Sequence, residues 1–145
     1  MRVDTDMINK SEANEILKNN GFVKLMGMEL LEIREGFASG RIRLEEKHTN
    51  IYNGMHGGCS YALADTLAGI AASTYGNCVT TIDGKMNYLF PIKDTEYVYC
   101  ETQAVRQGGR IGLYEARITD DDGKLLATAE FTYYRTSKKL ENSEE

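Results

Sequence analysis

Apolar positions alternate with polar ones over most of the chain and fuse into one dense block near its middle. In "MELLEIREGFASGRIRLEE", Ile42 and Leu44 alternate with Arg41 and Arg43, the period-two pattern of a strand with one wet face. The turn residues Glu35 and Gly36 split that segment into two strands. From about His56 to Tyr75 the chain is rich in Ala, Leu, Ile and Gly, which predicts a long buried helix. Three strand-like runs follow, "VTTIDGKMNYLFP", "TEYVYCETQAVRQ" and "RIGLYEARITD". The turn "DDDGK" leads into a fourth, "LLATAEFTYYRT", as an antiparallel hairpin, and Gly108 and Gly109 mark another. Pro91 ends its strand because it cannot donate to a ladder. Ahead of all these, Ser11 predicts the N-cap of a short helix through "EANEILKNN" that Gly21 stops.

The order is therefore helix, two strands, long helix, four strands. Sequential strands with short turns favour an antiparallel sheet, and the apolar helix needs cover over most of its circumference. The expected fold class is α+β, a curved antiparallel sheet wrapped around one long central helix. At 145 residues, with no linker or repeat, the chain reads as a single domain, 1–145, whose polar ends, about 1–10 and 137–145, have little to bury. A content of 41% hydrophobic and 27% charged residues suits a folded protein, and a net charge of −5 argues against a nucleic-acid partner. No run approaches the roughly 18 apolar residues of a membrane span, and "MRVDTDM" lacks a signal-like apolar segment, so no membrane partner and a cytoplasmic location are expected. Cys59, Cys78 and Cys100 follow no C-x-x-C spacing, which suits free thiols and gives no reason to expect a metal.

The candidate chemistry lies in "NGMHGGCSYALADTLAG", where the carboxylate of Asp65 interrupts an otherwise core-like helix. If the helix begins near Gly57, its first N–H groups are unpaired and lie at the positive end of the macrodipole. Gly57 and Gly58 would let a carbonyl approach that backbone, making an oxyanion hole. Asp65 lies eight residues further on, roughly 12 Å along the axis, too far to act on the same carbonyl within one chain. Two such helices packed antiparallel across a twofold axis would bring the aspartate of one to the glycine end of the other. Small residues reckoned to its face, Gly58, Ala62, Ala68, Gly69 and Ala72, with Tyr61, suit such an approach. The bland alternative is a structural aspartate, satisfied by a tyrosine or a backbone amide, on a tightly packed helix. Cys59, three residues after His56, suggests a Cys–His pair but reads first as a small core residue, and His48 reads as an exposed loop histidine.

"NIYNGMHGGCSYALAD", "TIDGKMNYLFP" and "VRQGGRIGLYEARITDDDGKLLATAEFTYYR" together resemble the hotdog-fold acyl-CoA thioesterases of the PaaI-like (phenylacetate-pathway) group, over about residues 20 to 136. That resemblance implies hydrolysis of acyl-CoA to free acid and CoA, with Asp65 as nucleophile or general base and the Gly57 N–H polarising the thioester oxygen. It further implies that His56 steadies the loop-to-helix turn and that Thr81 assists the water. For an asparagine that positions water or substrate it offers two candidates, Asn50 and Asn53, the latter standing where the family has glycine. It implies a homodimer, commonly a homotetramer, and no metal or redox cofactor, coenzyme A entering only as part of the substrate. Coenzyme A phosphates call for basic groups at the site mouth, for which Arg106, Arg110 and Lys93 are candidates, unless these are ordinary solvated charges. Two rivals share the fold: a non-catalytic acyl-CoA-binding sensor and a 3-hydroxyacyl thioester dehydratase.

Overall fold

The computed structural model describes residues 19–139. Most of the helix expected from Ser11 lies outside the described residues. The stop expected at Gly21 belongs to that helix and so falls outside as well; Gly21 itself opens a short one, α1 (Gly21–Met26), with the Asn20 side chain accepting from the Val23 N–H at 3.1 Å. That side-chain cap is the stronger local signal. Helix α1 ends at Gly27, left-handed at φ 75°.

The remaining elements are β1 (Met28–Arg34), β2 (Phe37–Arg43), a 3-10 turn (Glu46–His48), α2 (Gly57–Ser73), β3 (Asn77–Tyr88), β4 (Tyr97–Gln107), β5 (Ile111–Thr119) and β6 (Leu125–Lys139). The six strands form one antiparallel sheet in the order β1-β2-β4-β5-β6-β3, so that β3 and β1 are its edges. Three expected hairpins are present: β1–β2 around Gly36, β4–β5 around Gly108 and Gly109, and β5–β6 around Gly123.

Helix α2 lies across the sheet and touches every strand. Its buried residues recur every three to four positions, Ser60, Leu63 with Ala64, Leu67 with Ala68, and Ala71 with Ala72. Alanines on that stripe let the helix axis come close. A Cβ on Gly40 of β2 would run into the Glu29 carbonyl and lie 3.1 Å from Leu67. The fully buried Thr102 of β4 ties the layers together, its hydroxyl 2.9 Å from Ala38 O and 3.1 Å from Leu67 O. The opposite face of α2, with Tyr61, Ala62, Asp65, Thr66 and Gly69, is only half-buried, so one chain does not cover most of the helix. Ala68 and Ala72, which the sequence grouped with Asp65, turn instead into the sheet at 0% and 3% exposure.

Among the described residues no helix is long and apolar enough to cross a membrane. Leu67→Ala should lower stability by about 2–5 kcal/mol, the cost of a buried leucine whose cavity cannot collapse. Its urea midpoint falls with little change in m.

Candidate active site

The start of α2 is held by the loop before it. His48 is not an exposed loop histidine but 3% exposed. Its Nδ1 accepts from the Glu45 N–H at 3.0 Å and its Nε2 donates to Met26 O at 2.8 Å. The His48 carbonyl then accepts the His56 N–H at 2.7 Å, which places the N-cap residue. Asn50 folds the intervening turn, its Oδ1 accepting from Tyr52 N–H at 2.8 Å and Gly54 N–H at 3.2 Å. Asn53, where the resemblance leads one to expect glycine, sits at φ 66°, a left-handed conformation that asparagine tolerates better than most residues.

At the helix start the donors are divided. His56 Nδ1 accepts from the Gly58 N–H at 2.9 Å, which leaves the remaining proton of a neutral ring on Nε2. The Gly57 N–H has no acceptor among the described residues. Its peptide partner, the His56 carbonyl, accepts from Cys59 N–H at 2.8 Å and Ser60 N–H at 3.4 Å, which polarises that peptide unit further. Of the two glycines, Gly57 therefore keeps the free donor and Gly58 spends its own on the cap.

Gly57 opens onto a cavity of about 480 Å³ whose lining includes Asn50, Gly58, Tyr88, Phe90 and Ile92. Tyr88 at the end of β3 lies over the glycine, 3.2 Å from where a Cβ would stand, and its hydroxyl donates to Gly57 O at 2.9 Å. Burial pushes the Tyr88 phenol up, which keeps it a donor. Lys93 is exposed one residue beyond the lining residue Ile92. Cys59 is buried in the core, and burial pushes its thiol up to about 11, the opposite of an activated nucleophile.

Asp65 is held elsewhere. Its Oδ1 accepts from Tyr133 Oη at 2.7 Å and from Thr81 Oγ1 at 3.0 Å. Tyr133 Oη also lies 2.7 Å from the backbone carbonyl of Asp65. Thr81 and Tyr133 are paired neighbours on β3 and β6, so the sheet register brings both hydroxyls to one carboxylate oxygen. Oδ2 has no partner among the described residues.

The structure thus forms two clusters from the expected residues: Asn50, His56, Gly57 and Gly58 at the helix start, and Asp65 with Thr81 two turns along. Asn53 is exposed on the turn and does not line the cavity. Arg106 and Arg110 lie at the β4–β5 hairpin, where Arg110 Nη1 donates to Tyr134 Oη at 2.8 Å. On β6, Tyr134 is seven residues from Ala127, the partner of Tyr88, so this basic pair is roughly 23 Å along the strand from the cavity of its own chain. Asp83 and Lys85 are exposed on β3 and line no pocket beside Gly57. Nothing in the sequence pattern sets Tyr88 or Tyr133 apart from the other strand tyrosines. Only the register, which sets each hydroxyl against α2, brings them to the two clusters.

The Thioesterase superfamily model matches residues 52–127, more than half of the chain. Acyl-coenzyme A thioesterase PaaI of Escherichia coli is 24% identical over 115 residues, covering 79% of this chain and 82% of that one. A solved structure of the Escherichia coli PaaI protein superposes with a TM-score of 0.84 at 22% identity, over 90% of this chain and 95% of the other. Human acyl-coenzyme A thioesterase 13 is 25% identical over 119 residues, covering 79% of this chain and 85% of that one. The smu.793 protein of Streptococcus mutans, solved bound to acetyl CoA, superposes with a TM-score of 0.74 at 22% identity, over 78% and 91% of the two chains. With residues 52–127 spanning the helix that carries both clusters, the chain belongs to the thioesterase superfamily, in its PaaI-like hotdog-fold group.

Proposed function

We propose that the protein hydrolyses acyl-CoA thioesters to the free acid and CoA, at sites that each take Asp65 from one subunit and Gly57 from another. The observation that carries this is the division of the chemistry along α2. An unclaimed N–H sits at the positive helix end and a carboxylate with one unclaimed oxygen sits roughly 12 Å further on, a gap that one thioester carbonyl cannot bridge. The half-buried face of α2 and the adjoining edge strand β3, exposed at Thr80, Thr81, Ile82 and Asp83, supply a surface on which a twofold-related copy can lie antiparallel. Such a pairing carries the Arg106 and Arg110 end of one subunit toward the Gly57 end of the other, beside Lys93, where coenzyme A phosphates need cations. A homodimer completes the site, and a homotetramer holds two such pairs.

In the proposed reaction the Gly57 N–H donates to the thioester oxygen. Asp65 Oδ2 takes a proton from water, and the oxygen of that water adds to the carbonyl carbon as the C=O electrons move onto its oxygen. When the carbonyl re-forms, the C–S bond breaks and the CoA thiolate recovers the proton from Asp65, giving acid and CoA-SH. Thr81 adds a hydroxyl beside the carboxylate to hold the water, His56 holds the turn that aims Gly57, and Asn50, its Oδ1 engaged, offers the amide Nδ2 to the cavity. No atom changes oxidation state, so the proposed reaction calls for no redox cofactor. The three cysteines are free, as suits a reducing compartment, which favours a cytoplasmic enzyme.

Asp65→Ala should stay folded and dimeric while release of free thiol from a panel of acyl-CoAs falls about 100-fold or more. Undiminished release would remove Asp65 from the mechanism, and binding without any release by the natural protein would identify a sensor. Subunit complementation tests the composite site. Asp65→Ala and Gly57→Val chains, each inactive alone, should regain roughly a quarter of natural activity when refolded together, because half of the dimers are mixed and each holds one intact site. A site contained in one chain would regain nothing.

A further inference from the structure

With Asp65 as the base, as proposed above, we propose that Tyr133 is its positioning residue: the phenol holds Oδ1 so that Oδ2 alone is presented for chemistry. Tyr133 is 2% exposed. Its ring is fixed by edge contact with Tyr114, centroids 5.9 Å apart, and by Phe131 at 6.2 Å. The hydroxyl lies 2.7 Å from both Oδ1 and the backbone carbonyl of Asp65, so it gauges the carboxylate against its own main chain. Thr81 Oγ1 approaches the same Oδ1 at 3.0 Å, but from an exposed position on the edge strand. Turning the carboxylate plane away from this orientation would break both bonds. Burial, and then the bond to Asp65, push the Tyr133 phenol up, so it stays protonated as a donor at any working pH.

The titratable side chains around this pair are few. Tyr61 on α2 and Tyr114 on β5 flank Tyr133. On β3, Asp83 lies two residues past Thr81, opposite Thr132. Among the described residues no basic side chain bonds Asp65, so the hydroxyls hold it in place of an ion pair.

Tyr133→Phe keeps the buried ring and removes the donor. Its kcat should fall roughly tenfold with KM little changed. The acid limb of its kcat/KM–pH profile should move to higher pH, since a carboxylate that loses a donor is more readily protonated. A lower melting temperature with natural kcat and pH profile would show that the hydroxyl only ties β6 to α2, and would overturn the proposal. Should Tyr133→Phe fail to fold, 3-fluorotyrosine at position 133 keeps ring and donor but strengthens the donation, and the acid limb should move to lower pH. An unmoved limb would overturn the proposal equally. Asp65→Asn, assayed in parallel, separates the two levels. If it is fully active, Asp65 is not the base and the hydrolytic mechanism fails; if it is inactive beside an unchanged Tyr133→Phe, only the positioning role fails.

Discussion

The architecture depends on how closely a 17-residue helix can approach one sheet. Alanine at positions 64, 68, 71 and 72 leaves little side chain between the two backbones, and glycine at position 40 removes a Cβ that would lie 3.1 Å from Leu67 of the helix. Dispersion and apolar burial both fall off steeply with any gap, so the helix is fixed in translation and rotation. The buried Thr102 hydroxyl, between Ala38 O and Leu67 O, adds a polar reference point in an otherwise apolar layer. At the far end, Thr74 Oγ1 accepts the Gly36 N–H at 2.8 Å, so the helix C-terminus is tied to the first hairpin.

A helix held this way places its two candidate site features by strand register. Tyr88, at the end of β3, falls on Gly57, while Thr81 and the paired Tyr133 fall on Asp65. The separation has an electrostatic logic. A carboxylate close to the Gly57 N–H would itself occupy that donor, since a helix N-terminus attracts any nearby anion. Two turns of helix keep the proposed base and the proposed oxyanion donor of one chain from neutralising each other. In the proposed dimer they meet only with a carbonyl and a water between them.

The loop ahead of the helix shows a second kind of control. His48 reaches from the 3-10 turn to Met26 O, and its own carbonyl takes the His56 N–H, so α1, the 3-10 turn and the start of α2 share one hydrogen-bonded junction. Asn50 and Asn53 divide the labour of a tight turn. One supplies a side-chain acceptor for two backbone N–H groups, and the other adopts the positive φ. The side chain that folds the turn therefore also lines the cavity, and the one that only satisfies the backbone torsion faces solvent.

By itself the sequence determined the order of the six strands and the long helix, the three hairpins and the two features on that helix that invite chemistry. These are local matters, set by a period of two or three to four residues, by glycine and proline, and by a charged residue in an apolar run. It also carried the family resemblance, because glycines at a helix start and an aspartate eight residues on stand close together in the chain. Only the tertiary structure decided that Ala68 and Ala72 face the sheet, that His48 is buried, that Gly58 spends its N–H on the cap, and that Tyr133 bonds Asp65 and Tyr88 bonds Gly57. Those outcomes turn on which strand lies beside which and in what register. A one-residue slip would send every side chain of a strand to the other face, and contacts such as that between Asp65 and Tyr133, 68 residues apart in sequence, exist only once β6 has been set beside β3 and the helix seated on both.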